Sequence, residues 1–351
     1  MWVFFCFVSK IYLKNFFIVF FALLGFYCSV DLLLNFKDLP KTANLDLLYI
    51  MFLAFSAVPY VLPLCLVFAL VLSLISMIKN NELVSFYALG ISKNYVILYP
   101  FLWALFFCFV YIGLNFTSFA YANDYKRNIL KNGTLVKQSG EVFLKFNDDF
   151  IYIPSLDNEN KIQNLKIFSV NDYELNSFSS VSNAYFKDES WILNDVNISK
   201  ILKNYKLGDK ALNLENFSTL TALSGFKPKI IESVATNSSY SIYDALISLR
   251  LFSSQNINLN TIKISLYKLI FTPFFAPFLM LIMYYFFPVI SRFFNLALVS
   301  FTAFVVTLML WGILFLLTRL SENNVILSEF GIILPILFLA SFGIFMFYKY
   351  K

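Results

Sequence analysis

The chain has 351 residues, of which 59% are hydrophobic and only 14% charged, with a formal net charge of +6. Both fractions lie on the membrane side of the soluble globular norm, so the positive balance points to anionic lipid headgroups and away from nucleic acid. The complete lack of histidine excludes His-based triads, the usual zinc sites and imidazole proton relays.

Six runs carry no charge: Phe16–Val30, Leu47–Ile78, Tyr95–Asn123, Leu269–Ser291, Phe293–Thr318 and Phe330–Tyr348. About 20 apolar residues cross a bilayer as a helix, because lipid offers the backbone no other hydrogen-bond partner. The first run reaches that length by including Asp31 and continuing to Leu34. Lys10 and Lys14 precede it as in a signal peptide, but no small-residue cleavage pattern follows, so a retained first span is expected. Asp31 is the only acid inside a run, and it is expected at headgroup level or paired with a basic neighbour. A substrate or ion role is the alternative.

The second run is far longer than a bilayer core of about 30 Å requires and must tilt, bend or protrude. Pro59 and Pro63 lie mid-run and supply a place to bend, as Pro273, Pro277 and Pro288 do in the fourth run. Such bends serve either as fixed kinks or as a hinge. Four cysteines (Cys6, Cys28, Cys65, Cys108) sit in or beside apolar runs without CxxC spacing and read as unpaired, buried thiols.

The connection from Lys79 to Lys93 predicts a short helix over about 80–90. Asn80 or Asn81 can cap its start, Glu82 complements the helix dipole, and Gly90 suits a left-handed end. Leu83, Phe86 and Tyr87 would form an apolar face beside Glu82. Such a helix either lies on the membrane surface or inserts into a groove of a partner.

Between the third and fourth runs, residues from about 132 to 231 read as β structure. Val142, Leu144 and Phe146 alternate with Phe143 and Lys145; Ile151 and Ile153, then Leu165 and Ile167, repeat the period of two. Turn-forming clusters at Asn147–Asp149, Asp157–Asn160, Lys187–Ser190 and Leu207–Asp209 separate them. Many short strands predict an antiparallel sandwich or barrel. Helical spacing returns over Ser241–Ser253. The expected organisation is therefore membrane helices in 1–123, a β domain in 124–240, and a connecting helix with three more spans in 241–351.

With the N-terminus inside, seven Lys or Arg residues of the short connections (Lys10, Lys14, Lys79, Lys93, Arg292, Lys349, Lys351) share its side, against three opposite (Lys37, Lys41, Arg319). Both termini are thus expected in the cytoplasm, with the β domain outside. No phosphate-cradling glycine loop is present, and no cofactor or metal is implied.

Glu82-Leu83-x4-Ala88-Leu89-Gly90-Ile91-Ser92 resembles the coupling-helix motif of the LptF/LptG permeases of bacterial lipopolysaccharide export. Further matches are Val58-Pro59 with Pro63, Ala184-Tyr185-Phe186-x4-Trp191-Ile192-Leu193-Asn194-Asp195-Val196, Tyr267-Lys268-Leu269 before Pro273, and Pro335. Together they cover essentially the whole chain. The resemblance implies an α-helical membrane protein with six spans, three on each side of an inserted periplasmic, antiparallel, β-jellyroll-like domain. It also implies a non-catalytic permease subunit of an ABC transporter in the inner membrane that extracts lipopolysaccharide and passes it to a periplasmic bridge.

The implied partners are a cytoplasmic ATPase dimer, a paralogous permease forming a heterodimer, and a single-span periplasmic jellyroll subunit. Val30-Asp31-Leu32-Leu33 and the Lys37–Lys41 loop look more like LptG than LptF. The family's lipid-phosphate contacts would fall at Asp31, Lys37, Lys41, Lys126 and Arg127. Asn123 stands where a second base is expected, and Asp31 where the family can carry lysine. The ATPase contact would fall at Glu82, Leu83, Phe86, Tyr87 and Gly90. An ion-coupled secondary transporter, or a membrane-anchored β-domain scaffold, would be the competing readings.

Overall fold

The computed structural model describes residues 2–350, apart from 41, 134–141, 147–148, 155–160, 172–173, 188–189, 202–211, 225, 227, 229–238, 253–259 and 291–293. The chain divides into two compact units: Met1–Lys126 with Asn260–Lys351, and Arg127–Leu259. These boundaries lie a few residues after the expected start of the β domain and well after its expected end.

The membrane unit holds six helices long and apolar enough to cross a bilayer. Helix α1 runs Trp2–Leu34, well ahead of the uncharged run. No proline interrupts it, and Lys10 and Lys14 are helix formers whose exposed side chains reach away from the apolar stretch. From Phe17 to Leu34 none of its residues is buried, and exposed positions recur in pairs four apart: Phe17 and Ile18, Phe21 and Ala22, Gly25 and Phe26, Ser29 and Val30. That periodicity marks one helix face turned away from the unit's own core.

After a short turn at Phe36–Asp38, helix α2 runs Ala43–Lys79 without interruption at Pro59 and Pro63. It is the central element, with 72% of its most apolar stretch buried. Helix α3 (Glu82–Ala88) and helix α4 (Lys93–Leu114) follow. The third run is not one helix to Asn123. The Asn115 side chain donates to the Tyr111 carbonyl at 2.8 Å, and Thr117 Oγ1 accepts from the Phe119 N–H at 3.3 Å. Polar side chains that bind nearby backbone in this way compete with helix continuation. A turn at Ser118–Tyr121 then leads into helix α5, Ala122–Asn132.

Six strands follow: β1 Val142–Phe146, β2 Asp149–Ile153, β3 Lys161–Asn171, β4 Glu174–Lys187, β5 Ser190–Ile201 and β6 Leu212–Ala222. They form one antiparallel sheet in chain order, a meander in which every strand pairs with its sequence neighbour. In β3, β4 and β5 the alternation of buried residues skips once, leaving pairs three apart: Ile162 and Leu165, Val181 and Ala184, Leu193 and Val196. These pair across the sheet in two rows, Ile162–Ala184–Leu193 and Leu165–Val181–Val196. Between the rows Asn164 and Asp195 hold φ of 56° and 53°, which lets the strands bend while both rows stay on the inner face. Trp191 is fully buried there, its indole N–H donating to the Phe226 carbonyl at 2.7 Å. The expected turns at 157–160 and 207–209 lie outside the described residues. Helix α6, Ile242–Phe252, belongs to this unit.

The fourth span is built in pieces: α7 (Asn260–Phe271), a tight turn Thr272–Phe274 around Pro273, and α8 (Phe275–Phe286). It starts earlier than the uncharged run because Lys268 is paired with Glu322 at 3.1 Å. Helix α9, Leu296–Glu322, begins with Asn295 Oδ1 accepting from the Ala297 and Leu298 N–H groups. A wide turn at Glu329–Ile333 precedes Pro335 and helix α10, Leu334–Lys349. Gly331 sits in that turn against α9: a Cβ there would lie 1.9 Å from Ser321 Oγ and 3.0 Å from the Leu317 carbonyl oxygen.

Candidate functional site

Two clusters bring sequence-expected residues together, one at each end of the helices. At the connection between the second and third spans, α3 is a compact hairpin helix. Its start differs from expectation. Asn81 adopts φ 56° and its side chain caps nothing, while Asn80 Nδ2 donates to Glu82 Oε1 at 3.3 Å. Its end matches: Gly90 holds φ +79°, its N–H bonds the Tyr87 carbonyl, and the Ile91 N–H bonds the Phe86 carbonyl, both at 3.0 Å. That is the paired closure a left-handed glycine permits.

The apolar face of α3 exists but is turned inward, onto the chain's own helices. Leu83 is buried. Phe86 packs edge-on against Phe4 of α1, with ring centres 4.8 Å apart, and against Phe7. The Tyr87 hydroxyl meets that of Tyr284 on α8 at 2.8 Å. Burial pushes the Tyr87 phenol pKa up, which the bond to Tyr284 partly opposes. Ser85, Ala88, Leu89 and Gly90 remain exposed, and Glu82 is half-buried at the rim. One Glu82 oxygen, Oε2, is enclosed without a hydrogen-bond partner among the described residues. Leu83 and Tyr87 also wall a small cleft with Lys93, Tyr284 and Pro288.

At the opposite end, Asp31 of α1 gathers three elements. Lys126 Nζ of α5 lies 3.1 Å from Asp31 Oδ2, with both side chains less than one-fifth exposed. Tyr49 Oη of α2 donates to Asp31 Oδ1, and Asn35 Nδ2 donates to the same oxygen at 3.0 Å. Tyr125 stacks on Phe52, 5.0 Å between centres, and helps to fix α5 against α2. Sequence reasoning placed Asp31 and Lys126 in one region. It missed Tyr49 and Asn35, although Asn35, four residues after Asp31, was a readable signal. Lys37 is exposed in the Phe36–Asp38 turn, Arg127 is exposed on α5, and Lys41 lies outside the described residues.

Six apolar helices, an antiparallel sheet inserted between the third and fourth, and the hairpin helix agree with a match over residues 7–349 to the family described as lipopolysaccharide export system permease LptF/LptG. The chain belongs to the LptF/LptG family. As a member it is a permease component of a lipopolysaccharide export system, with the family's six-span, sheet-inserted fold. No curated protein matches the permease at a significant level.

Proposed function

We propose that this permease is a non-catalytic subunit that couples ATP hydrolysis by a cytoplasmic ABC ATPase dimer to extraction of lipopolysaccharide from the inner membrane. Drawing one acyl chain of about 12 methylenes out of a bilayer costs on the order of 10 kcal/mol, at about 0.8 per methylene. The lipid has several such chains, so external work is required. The permease sequence has no phosphate-cradling loop of its own.

The observation that carries this reading is the anchoring of α3. Its apolar side is fastened to the membrane helices, while Ser85, Ala88 and Leu89 face outward and Glu82 sits half-buried at the rim. A helix held this way turns a push from a partner into movement of the spans. In this reading the hairpin and both termini are cytoplasmic and the sheet unit is periplasmic. The sheet passes lipid to a bridge of similar jellyrolls. A paralogous permease completes a heterodimer, and a single-span jellyroll subunit joins it.

The exposed stripe of α1 and the sparsely buried α9 support a lateral cavity for lipid and partner. Lys37, Lys41 and Arg127 would supply charge for lipid phosphates. Lys126 would join them once it parts from Asp31. The Asp31 region resembles the LptG member more than LptF.

Glu82→Lys reverses the only charge on α3 and should sharply reduce ATPase co-purification in mild detergent while the permease still inserts. Undiminished co-purification would overturn the coupling role.

A further inference from the structure

The hairpin helix is covalently continuous only with the second and third spans. Three hydrogen bonds carry it across to the second half of the chain. Tyr87 Oη meets Tyr284 Oη at 2.8 Å, although 197 residues separate them. Four residues past the hairpin's glycine, Asn94 at the start of α4 accepts from Tyr285 Oη at 2.7 Å and donates through Nδ2 to the Phe347 carbonyl of α10 at 2.8 Å. Tyr284 and Asn94 are both buried. The C-terminal end of the hairpin helix and the first turn of α4 are therefore both tied to the inner end of α8, and the latter also to α10.

A buried hydroxyl that loses its partner costs more than the bond contributes when made. Movement of α3 relative to α8 thus leaves Tyr284 Oη unpaired unless α8 follows. Buried Leu83 lines the same cleft as Tyr284 and Pro288, so α3 meets this end of α8 by more than the hydroxyl pair.

We infer that the Tyr87–Tyr284 hydroxyl pair, backed by Asn94, is the positioning link through which displacement of the hairpin helix reaches the fourth and sixth spans. This rests on the coupling role proposed above, and it assigns transmission to residues that touch neither nucleotide nor lipid.

The test uses the full-length permease in lipid nanodiscs with whatever ATPase co-purifies. Tyr87→Phe and Tyr284→Phe keep both rings and remove only the hydroxyl bond. Lipid released per ATP should fall about fivefold in each, as the loss of one net hydrogen bond predicts, and Tyr284→Phe, which lies outside the ATPase-contact set, should retain ATPase binding and near-normal hydrolysis. The double variant should be no worse than either single one, because both remove the same bond. Unchanged lipid per ATP in both single variants would overturn the link, even if melting temperature fell. A fully additive double variant would overturn the pairing.

Hydrogen exchange provides a readout that needs no ATPase. Tyr87→Phe should speed exchange at the Phe286, Phe287, Val289 and Ile290 amides, and unchanged exchange there would overturn the link by itself. If the unaltered permease captured no ATPase but the exchange shift appeared, the link would stand and the coupling role would fall.

Discussion

Asp31 is the residue on which the ends of three helices converge. Its carboxylate accepts from Lys126, Tyr49 and Asn35, two donors on Oδ1 and one on Oδ2. Asp31→Ala would leave a mostly enclosed ammonium without its counter-charge, a loss of about 1–3 kcal/mol. The expected outcome is a lower melting temperature in nanodiscs, largely recovered by Asp31→Asn with Lys126→Met, which removes both charges together. A double variant as unstable as the single one would assign the loss to packing. The pair also bears on the ion-transporter alternative. That mechanism needs an acid free to take and release a cation, and this acid is already occupied by a lysine of its own chain.

At the scale of elements, two glycines do different work. Gly90 has open space around its missing Cβ, so only its φ of +79° constrains it. Gly90→Ala should cost about 1 kcal/mol and appear as faster hydrogen exchange confined to residues 82–91. Gly331 has ordinary backbone angles but no room, so Gly331→Ala must push α9 and α10 apart. The expected cost is about 1–3 kcal/mol, read as a drop in melting temperature. Adding Ser321→Ala removes the nearest atom but leaves the Leu317 carbonyl, so recovery should be partial.

The same contrast explains what the sequence discloses about elements. Gly90 announced the end of α3 because a left-handed glycine closes a helix locally. Gly331 gave no signal, because its constraint comes from a different helix. The inward turn of Leu83, Phe86 and Tyr87 was equally hidden. An apolar face is readable from spacing, but what covers it depends on Phe4 and Tyr284, far away in the chain. The break after Leu114 was legible in principle, since Asn115 and Thr117 are residues that bind their own backbone. The uncharged run concealed it.

For the whole molecule, the six spans and the inserted antiparallel sheet follow from patterns that lipid and strand pleat impose directly. Composition alone carries that much. The side proposed for each loop rests on the lysine and arginine distribution, and it can be measured. In a cysteine-free background, Leu89→Cys on the exposed hairpin should react with a membrane-impermeant thiol reagent only after spheroplasts are opened. Asn213→Cys on β6 should react in intact spheroplasts. The opposite pattern would invert the topology and remove the coupling role.

The burial of α2 has a consequence for biosynthesis. Its finished surroundings include α8, and roughly 200 residues separate the two, which a ribosome adds in about 10–40 s. Throughout that interval the most enclosed helix of the protein waits in lipid without its neighbour. Pro59 and Pro63 leave carbonyls that have no amide to receive, and hydrocarbon cannot supply one. Shelter for the first three helices until the last three emerge is expected to matter for this chain order, and shortening the delay should raise the yield of intact protein.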